Sequence, residues 1–115
     1  MPEKKKVLAI IGSTRANSAN LRLVKGIQNM TADILEMDIF NEIDTIPHFN
    51  PDLDKEAPPE RVVHFRKLIS EADGVLICTP EYVFTLPGSL KNALEWCVST
   101  TIFSQKPVGL ITASA

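Results

Sequence analysis

Residues 12–20 read Gly-Ser-Thr-Arg-Ala-Asn-Ser-Ala-Asn and place three hydroxyls, one guanidinium and two amides within nine positions. An apolar run, Val7 to Ile11, precedes them and apolar residues at helical spacing follow, so they stand where a strand would pass into a helix N-terminus. That position suits an anion: free backbone N–H groups and the positive end of the helix dipole favour negative charge, hydroxyls can donate to its oxygens, and Arg15 can add charge-assisted bonds. Gly12 lets the backbone turn sharply. Ser and Asn are also ordinary helix caps, so a polar helix start with no ligand would use the same residue types. The sequence lacks G-x-x-x-x-G-K-[ST] and G-x-G-x-x-G, and the loop contains no cysteine. A nucleotide triphosphatase, a dinucleotide pyrophosphate site and a cysteine phosphatase are therefore disfavoured, and a single terminal phosphate is the best match.

A second loop, residues 80–92, reads Pro-Glu-Tyr-Val-Phe-Thr-Leu-Pro-Gly-Ser-Leu-Lys-Asn. Tyr82 and Phe84 can pack against a flat ring, and backbone groups freed by the prolines can pair with its polar edge. Ordinary packing beneath the loop is the competing use of these aromatics. A phosphate cradle and a ring platform together describe a mononucleotide site, with no metal ligands and no acid–base pair, suited to a cofactor that carries its own chemistry.

The elements that would position these loops can be read from the apolar pattern. Val7 to Ile11 is a strand buried on both faces. Asn17 or Ser18 caps a helix whose Leu23, Val24, Ile27 and Met30 recur at helical spacing. Ile34, Leu35 and Met37 form a short second strand, and residues 38–58 form a long connection carrying three of the eight prolines. Pro59 opens a helix with Val62, Phe65, Leu68 and Ile69 on one stripe. Gly74 to Thr79 is a third strand ended by Pro80. Leu90, Ala93, Leu94 and Cys97 mark another helix, and Val108 to Thr112 a fourth strand. Apolar strands alternating with amphipathic helices indicate βαβ units and a three-layer α/β/α fold. Ligands of such sheets bind outside the carboxyl ends of the strands, which directs attention to the loops after Ile11, Thr79 and Thr112.

Composition agrees with one globular domain over residues 1–115. Twelve Lys plus Arg stand against fourteen Asp plus Glu, a balance that argues against bulk nucleic-acid binding. No apolar stretch reaches the roughly 18 to 20 residues that span a bilayer, and no secretory leader pattern is present, which points to a cytoplasmic address. Cys78 and Cys97 lack metal-ligand spacing and read as packing residues, and His48 and His64 as loop or surface residues.

The two loops carry a resemblance. G-S-T-R-A-N-S-A-N resembles the phosphate loop of NADPH-dependent FMN reductases, written G-S-x-R-x-x-S-x-N, at every fixed position. P-E-Y followed by L-P-G-S-L-K-N-A-L-E-W, with Ala72-Asp73-Gly74 leading into the strand before it, resembles the second signature of that family, and the resemblance runs the full length of the chain. It implies a flavodoxin-like fold with a parallel sheet of order 2-1-3-4, FMN as cofactor, and NADPH or NADH as co-substrate. Ser13, Arg15, Ser18 and Asn20 would hold the FMN phosphate, with Gly12, Thr14 and Ala19 completing the loop. Pro80, Glu81, Tyr82 and Val83 would line the isoalloxazine, and Ser114 would belong to a third flavin-contacting loop. NADPH would deliver hydride to the flavin, leave, and be replaced by a small acceptor such as a quinone, free flavin, azo compound or chromate. No side chain need be a catalytic acid, and no metal, membrane or nucleic acid is implied.

Two departures from the family pattern accompany the match. Val83 stands where the family commonly has Asn after P-E-Y, so one polar contact to the ring does not carry over. Family members also continue past Ala115 through a fifth strand, so the chain reads as C-terminally incomplete, with an apolar fourth strand at its edge. The family is usually dimeric or tetrameric, and residues 38–58 could supply an interface or a lid. An FMN-binding electron carrier without enzymatic activity, and an inactive truncated homologue acting as an interaction protein, are the alternatives to an NAD(P)H oxidoreductase.

Overall fold

The computed structural model describes residues 3–12, 19–80 and 87–112. Within them β1 (Lys5–Ile11), β2 (Leu35–Phe40), β3 (Gly74–Thr79) and β4 (Val108–Thr112) form one sheet of order β2-β1-β3-β4. Every pairing is parallel, so α1 (Ala19–Met30), α2 (Glu60–Glu71) and α3 (Gly88–Glu95) are the crossovers that return the chain to the amino end of each next strand.

Pleat alternation divides the core into two layers. Leu8, Ile10, Val75 and Ile77 face α2 and α3, where they meet Val62, Phe65, Ile69, Leu90, Ala93 and Trp96. Ala9, Ile11 and Cys78 face α1 through Leu21 and Val24. This is why β1 and β3 read as unbroken apolar runs: each is central, and both of its faces are covered. β2 is an edge strand and alternates instead, with Glu36 and Asp38 exposed while Met37 and Phe40 are buried.

Three local differences from the sequence expectations have clear causes. β2 runs to Phe40 because six of its residues pair in register with β1, from Lys5↔Leu35 to Ile10↔Phe40, while Ile34 falls before the strand and is exposed. On α1 the expected stripe is rotated: Asn20, Leu21 and Val24 are buried, whereas Leu23 and Met30 are exposed. Among the described residues α1 is the one helix on its face of the sheet, so it buries a single narrow strip and leaves its flanks in solvent. α3 ends at Glu95, which places Cys97 in the following turn, still buried and with its N–H donating to the Leu94 carbonyl at 2.9 Å.

The connection between β2 and α2 is organised rather than loose. It contains two short 3-10 turns, Ile43–Thr45 and Pro51–Leu53, the second capped by the Asn50 side chain accepting from the Asp52 N–H at 2.9 Å. Ile43 and Ile46 are buried in the α2–α3 layer.

Candidate functional site

Three ends converge at the carboxyl edge of the sheet: the end of β1 at Gly12, the end of β3 at Thr79 and Pro80, and the first turn of α1 at Ala19 and Asn20. The β1–β3 register sets Ile11 beside Cys78, and the Gly12 N–H continues the ladder by donating to the Cys78 carbonyl at 2.8 Å. Thr79 is fully buried and its hydroxyl donates to the Pro80 carbonyl at 3.0 Å. A Cβ on Gly12 would lie 2.6 Å from Thr79 Oγ1 and 2.7 Å from Thr79 Cβ, with Leu90 Cδ2 at 3.2 Å. Glycine is required here by the close approach of β3, and the point where the chain leaves β1 is thereby fixed.

Asn20 is one of two buried polar residues among those described, the other being Thr79. Its Oδ1 accepts from the Cys78 thiol at 3.3 Å, which joins the first turn of α1 to the last turn of the ladder in β3. Burial pushes the Cys78 thiol above the ordinary range, so it remains protonated and able to donate. Ala19 is exposed beside it and Pro80 is half-buried. The structure therefore brings together four of the residues singled out in the sequence, Gly12, Ala19, Asn20 and Pro80. Ser13, Thr14, Arg15, Ser18, Glu81, Tyr82, Val83 and Ser114 lie outside the described residues.

Two residues at this edge carry more than their sequence reading gave them. Cys78 read as packing alone and Thr79 as the end of a strand, yet one bonds both Gly12 and Asn20 and the other dictates glycine at position 12. A parallel pairing of the first and third apolar runs would have placed them there, since the third run ends in Cys78 and Thr79 and its carboxyl end then lies beside the first loop.

The second motif also serves the framework. Asn92 donates through Nδ2 to the Pro47 carbonyl at 2.9 Å and to the Ile46 carbonyl at 3.4 Å, and its Oδ1 accepts the Phe49 N–H at 2.7 Å. Trp96 is fully buried, donates Nε1–H to the same Pro47 carbonyl at 2.8 Å, and meets the Phe49 ring edge-on at 5.0 Å. Further along, Arg66 pairs with Asp54 at 2.9 Å and also donates to the Trp96 carbonyl, while the Ser99 hydroxyl donates to Asp54 at 2.6 Å. The Ser99 hydrogen bond, then the Arg66 guanidinium, holds the Asp54 carboxyl below the usual carboxylate range.

Gly12, Ala19, Asn20, Thr79, Pro80 and Thr112, the described residues at the ends of β1, β3 and β4 and the start of α1, carry no charged side chain, and the carboxylate of Glu81, which follows Pro80, lies outside the described residues. Among the described residues no group of three or more His, Cys, Asp or Glu is placed to hold a metal ion, and no helix is long and apolar enough to cross a membrane.

A family model described as NADPH-dependent FMN reductase matches residues 5–115. The chain belongs to that family. It is 34% identical over 111 residues to a quinone reductase of Pseudomonas putida, covering 94% of this chain and 59% of the relative. It is also 34% identical to an NAD(P)H-dependent FMN reductase of Pseudomonas aeruginosa, covering all of this chain and 63% of that one. Among solved structures it superposes on FerB, a flavoenzyme NAD(P)H:(acceptor) oxidoreductase from Paracoccus denitrificans, with a TM-score of 0.86 and 35% identity, over 96% of this chain and 61% of that chain. The chain thus spans about three fifths of the length of the relatives it matches. The four-stranded parallel order expected from the sequence is the one observed, on a flavodoxin-like fold.

Proposed function

We propose that residues 1–115 form one FMN-binding domain of an NAD(P)H-dependent oxidoreductase, which takes electrons from NADPH or NADH and passes them through bound FMN to a small acceptor such as a quinone, free flavin, azo compound or chromate. The observation that carries this reading is topological. The phosphate-type loop and the aromatic loop leave β1 and β3, which are neighbours at the centre of the sheet, at the point where the winding reverses, and Gly12 packs directly against Thr79 there.

In this reading Ser13, Arg15, Ser18 and Asn20 hold the phosphate, Gly12, Thr14 and Ala19 shape the turn around it, and Pro80, Glu81, Tyr82, Val83 and Ser114 line the ring. When bound, FMN supplies the hydride-accepting and electron-passing chemistry, and the chain's own residues bind it, orient it and leave a ring face open to donor and acceptor. We place the protein in the cytoplasm as a homodimer or homotetramer.

An FMN titration of the purified chain, followed by quenching of flavin fluorescence, tests the reading. Tight quenching is expected, weakened about tenfold or more by Arg15→Ala, since a charge-assisted bond to phosphate is worth roughly 1.5–3 kcal/mol. Anaerobic NADPH should then bleach the bound flavin. Absence of quenching would sink the flavoprotein reading, binding without bleaching would leave an electron carrier, and a monomeric elution volume at micromolar concentration would remove the oligomer.

A further inference from the structure

Cys78 contacts both ends of the 12–20 loop. Its carbonyl accepts the Gly12 N–H at 2.8 Å where the chain leaves β1, and its thiol donates to Asn20 Oδ1 at 3.3 Å where the chain enters α1. All three residues are buried, so the two described ends of the loop are both tied to a single residue of β3. The two contacts are chemically separable. The carbonyl bond belongs to the backbone and survives any side chain at 78, whereas the second contact needs a side-chain donor.

The donor also bears on which way Asn20 faces. The single S–H has Asn20 Oδ1 at 3.3 Å and the Asn20 carbonyl at 3.8 Å as acceptors, and the shorter contact holds the amide with Oδ1 toward Sγ and its NH2 group turned away from it. An aliphatic side chain at 78 would fill the same space without making that selection.

We propose that Cys78 is a positioning residue for the phosphate end of the bound flavin: its thiol orients Asn20 so that the amide can donate to phosphate, while its carbonyl fixes the other end of the loop. The proposal rests on the FMN reading above and assigns Cys78 no contact with ligand and no redox role.

The test compares Cys78→Ser, which keeps a donor, with Cys78→Val, which keeps an apolar volume without one. FMN and riboflavin, which lacks the phosphate, are titrated into each variant of the purified chain, and thermal stability is measured without ligand. Packing alone would make Val at least as good as Ser, because burying a hydroxyl in place of a thiol carries a desolvation cost, and affinity would follow stability. Positioning gives the reverse order: Ser keeps FMN affinity within about twofold, Val loses about five- to tenfold, and riboflavin affinity is the same in Val as in the unaltered chain. Cys78→Ala, also without a donor, repeats the Val arm if the Val variant does not fold.

Unchanged FMN affinity in Val, or equal weakening of FMN and riboflavin, would overturn the proposal while leaving the flavin reading intact. Failure of the unaltered chain to bind FMN would overturn both.

Discussion

Residues 41–58 are bound to the helices by side chains, whereas the hinge at Gly12 is bound to β3 by main chain and by steric contact. In the first region Asn92, Trp96, Arg66 and Ser99 make six hydrogen bonds to Ile46, Pro47, Phe49 and Asp54 of the connection. In the second a single ladder bond, a thiol contact and a missing Cβ hold the chain. The long segment that could supply an interface or a lid is tied to the framework at Ile46, Pro47, Phe49 and Asp54, while most of its other polar side chains are exposed. Of the short loop whose chemistry points to a ligand, the described polar side chain is Asn20, and it is held by the Cys78 thiol. A polar residue in the connection is therefore expected to matter for stability, and one at the hinge for binding.

The largest effect should come from adding a methyl group at the hinge. Gly12→Ala drives a Cβ to 2.6 Å from Thr79 Oγ1, and Thr79→Ala cannot relieve it because Thr79 Cβ itself lies at 2.7 Å. A loss of about 3 kcal/mol in denaturant unfolding is expected, together with lost FMN binding, since β1 and β3 must separate to accommodate it. A variant as stable as the unaltered chain would show that the hinge is not fixed by this contact.

Asn92→Ala should cost less and act differently. It strips the Phe49 N–H of its acceptor and the Ile46 carbonyl of its donor, while the Pro47 carbonyl keeps Trp96. About 2 kcal/mol is expected, read as a lower denaturant midpoint, with FMN affinity preserved. A loss of affinity larger than the loss of stability would erase the division between framework and hinge, and would make the second motif a binding element after all.

Much of this organisation was legible in sequence because β1 and β3 are central parallel strands, whose two covered faces demand continuous apolar runs. β2 was only half legible, since Glu36 and Asp38 on an edge strand look like the start of a loop. The phase of α1 was misread because helical spacing shows that a stripe exists, not how much of it a single sheet face will cover. The partners of the connection were invisible: Phe49 and Asn92 are 43 residues apart and Pro47 and Trp96 are 49 apart, with no local signal joining them. At the site, Gly12 and Asn20 were picked out by their motif. Cys78 was not, because a thiol in an aliphatic strand gives no sign of an acceptor 58 residues earlier.

The smallest effect concerns acid, and it separates the two regions by pH. Asp54 is depressed below its ordinary value of 3.8, first by the Ser99 hydroxyl and then by Arg66. A carboxylate lowered on folding stabilises the folded state in full above its unfolded pKa, and the contribution disappears as pH falls through the lowered folded value. Loosening of the connection should therefore begin below about pH 4 and be complete once Asp54 is protonated. Asp54→Asn keeps the shape and removes the charge, so its stability deficit should be present at pH 6 and shrink as the pH falls through the lowered folded value of Asp54. The hinge depends on a backbone bond, a neutral thiol and a glycine, and nothing in it titrates over that range, so Cys78→Val should show a deficit that is flat in pH. A flat deficit for Asp54→Asn would mean that the ion pair does not hold the connection, and that Asn92 and Trp96 hold it without help.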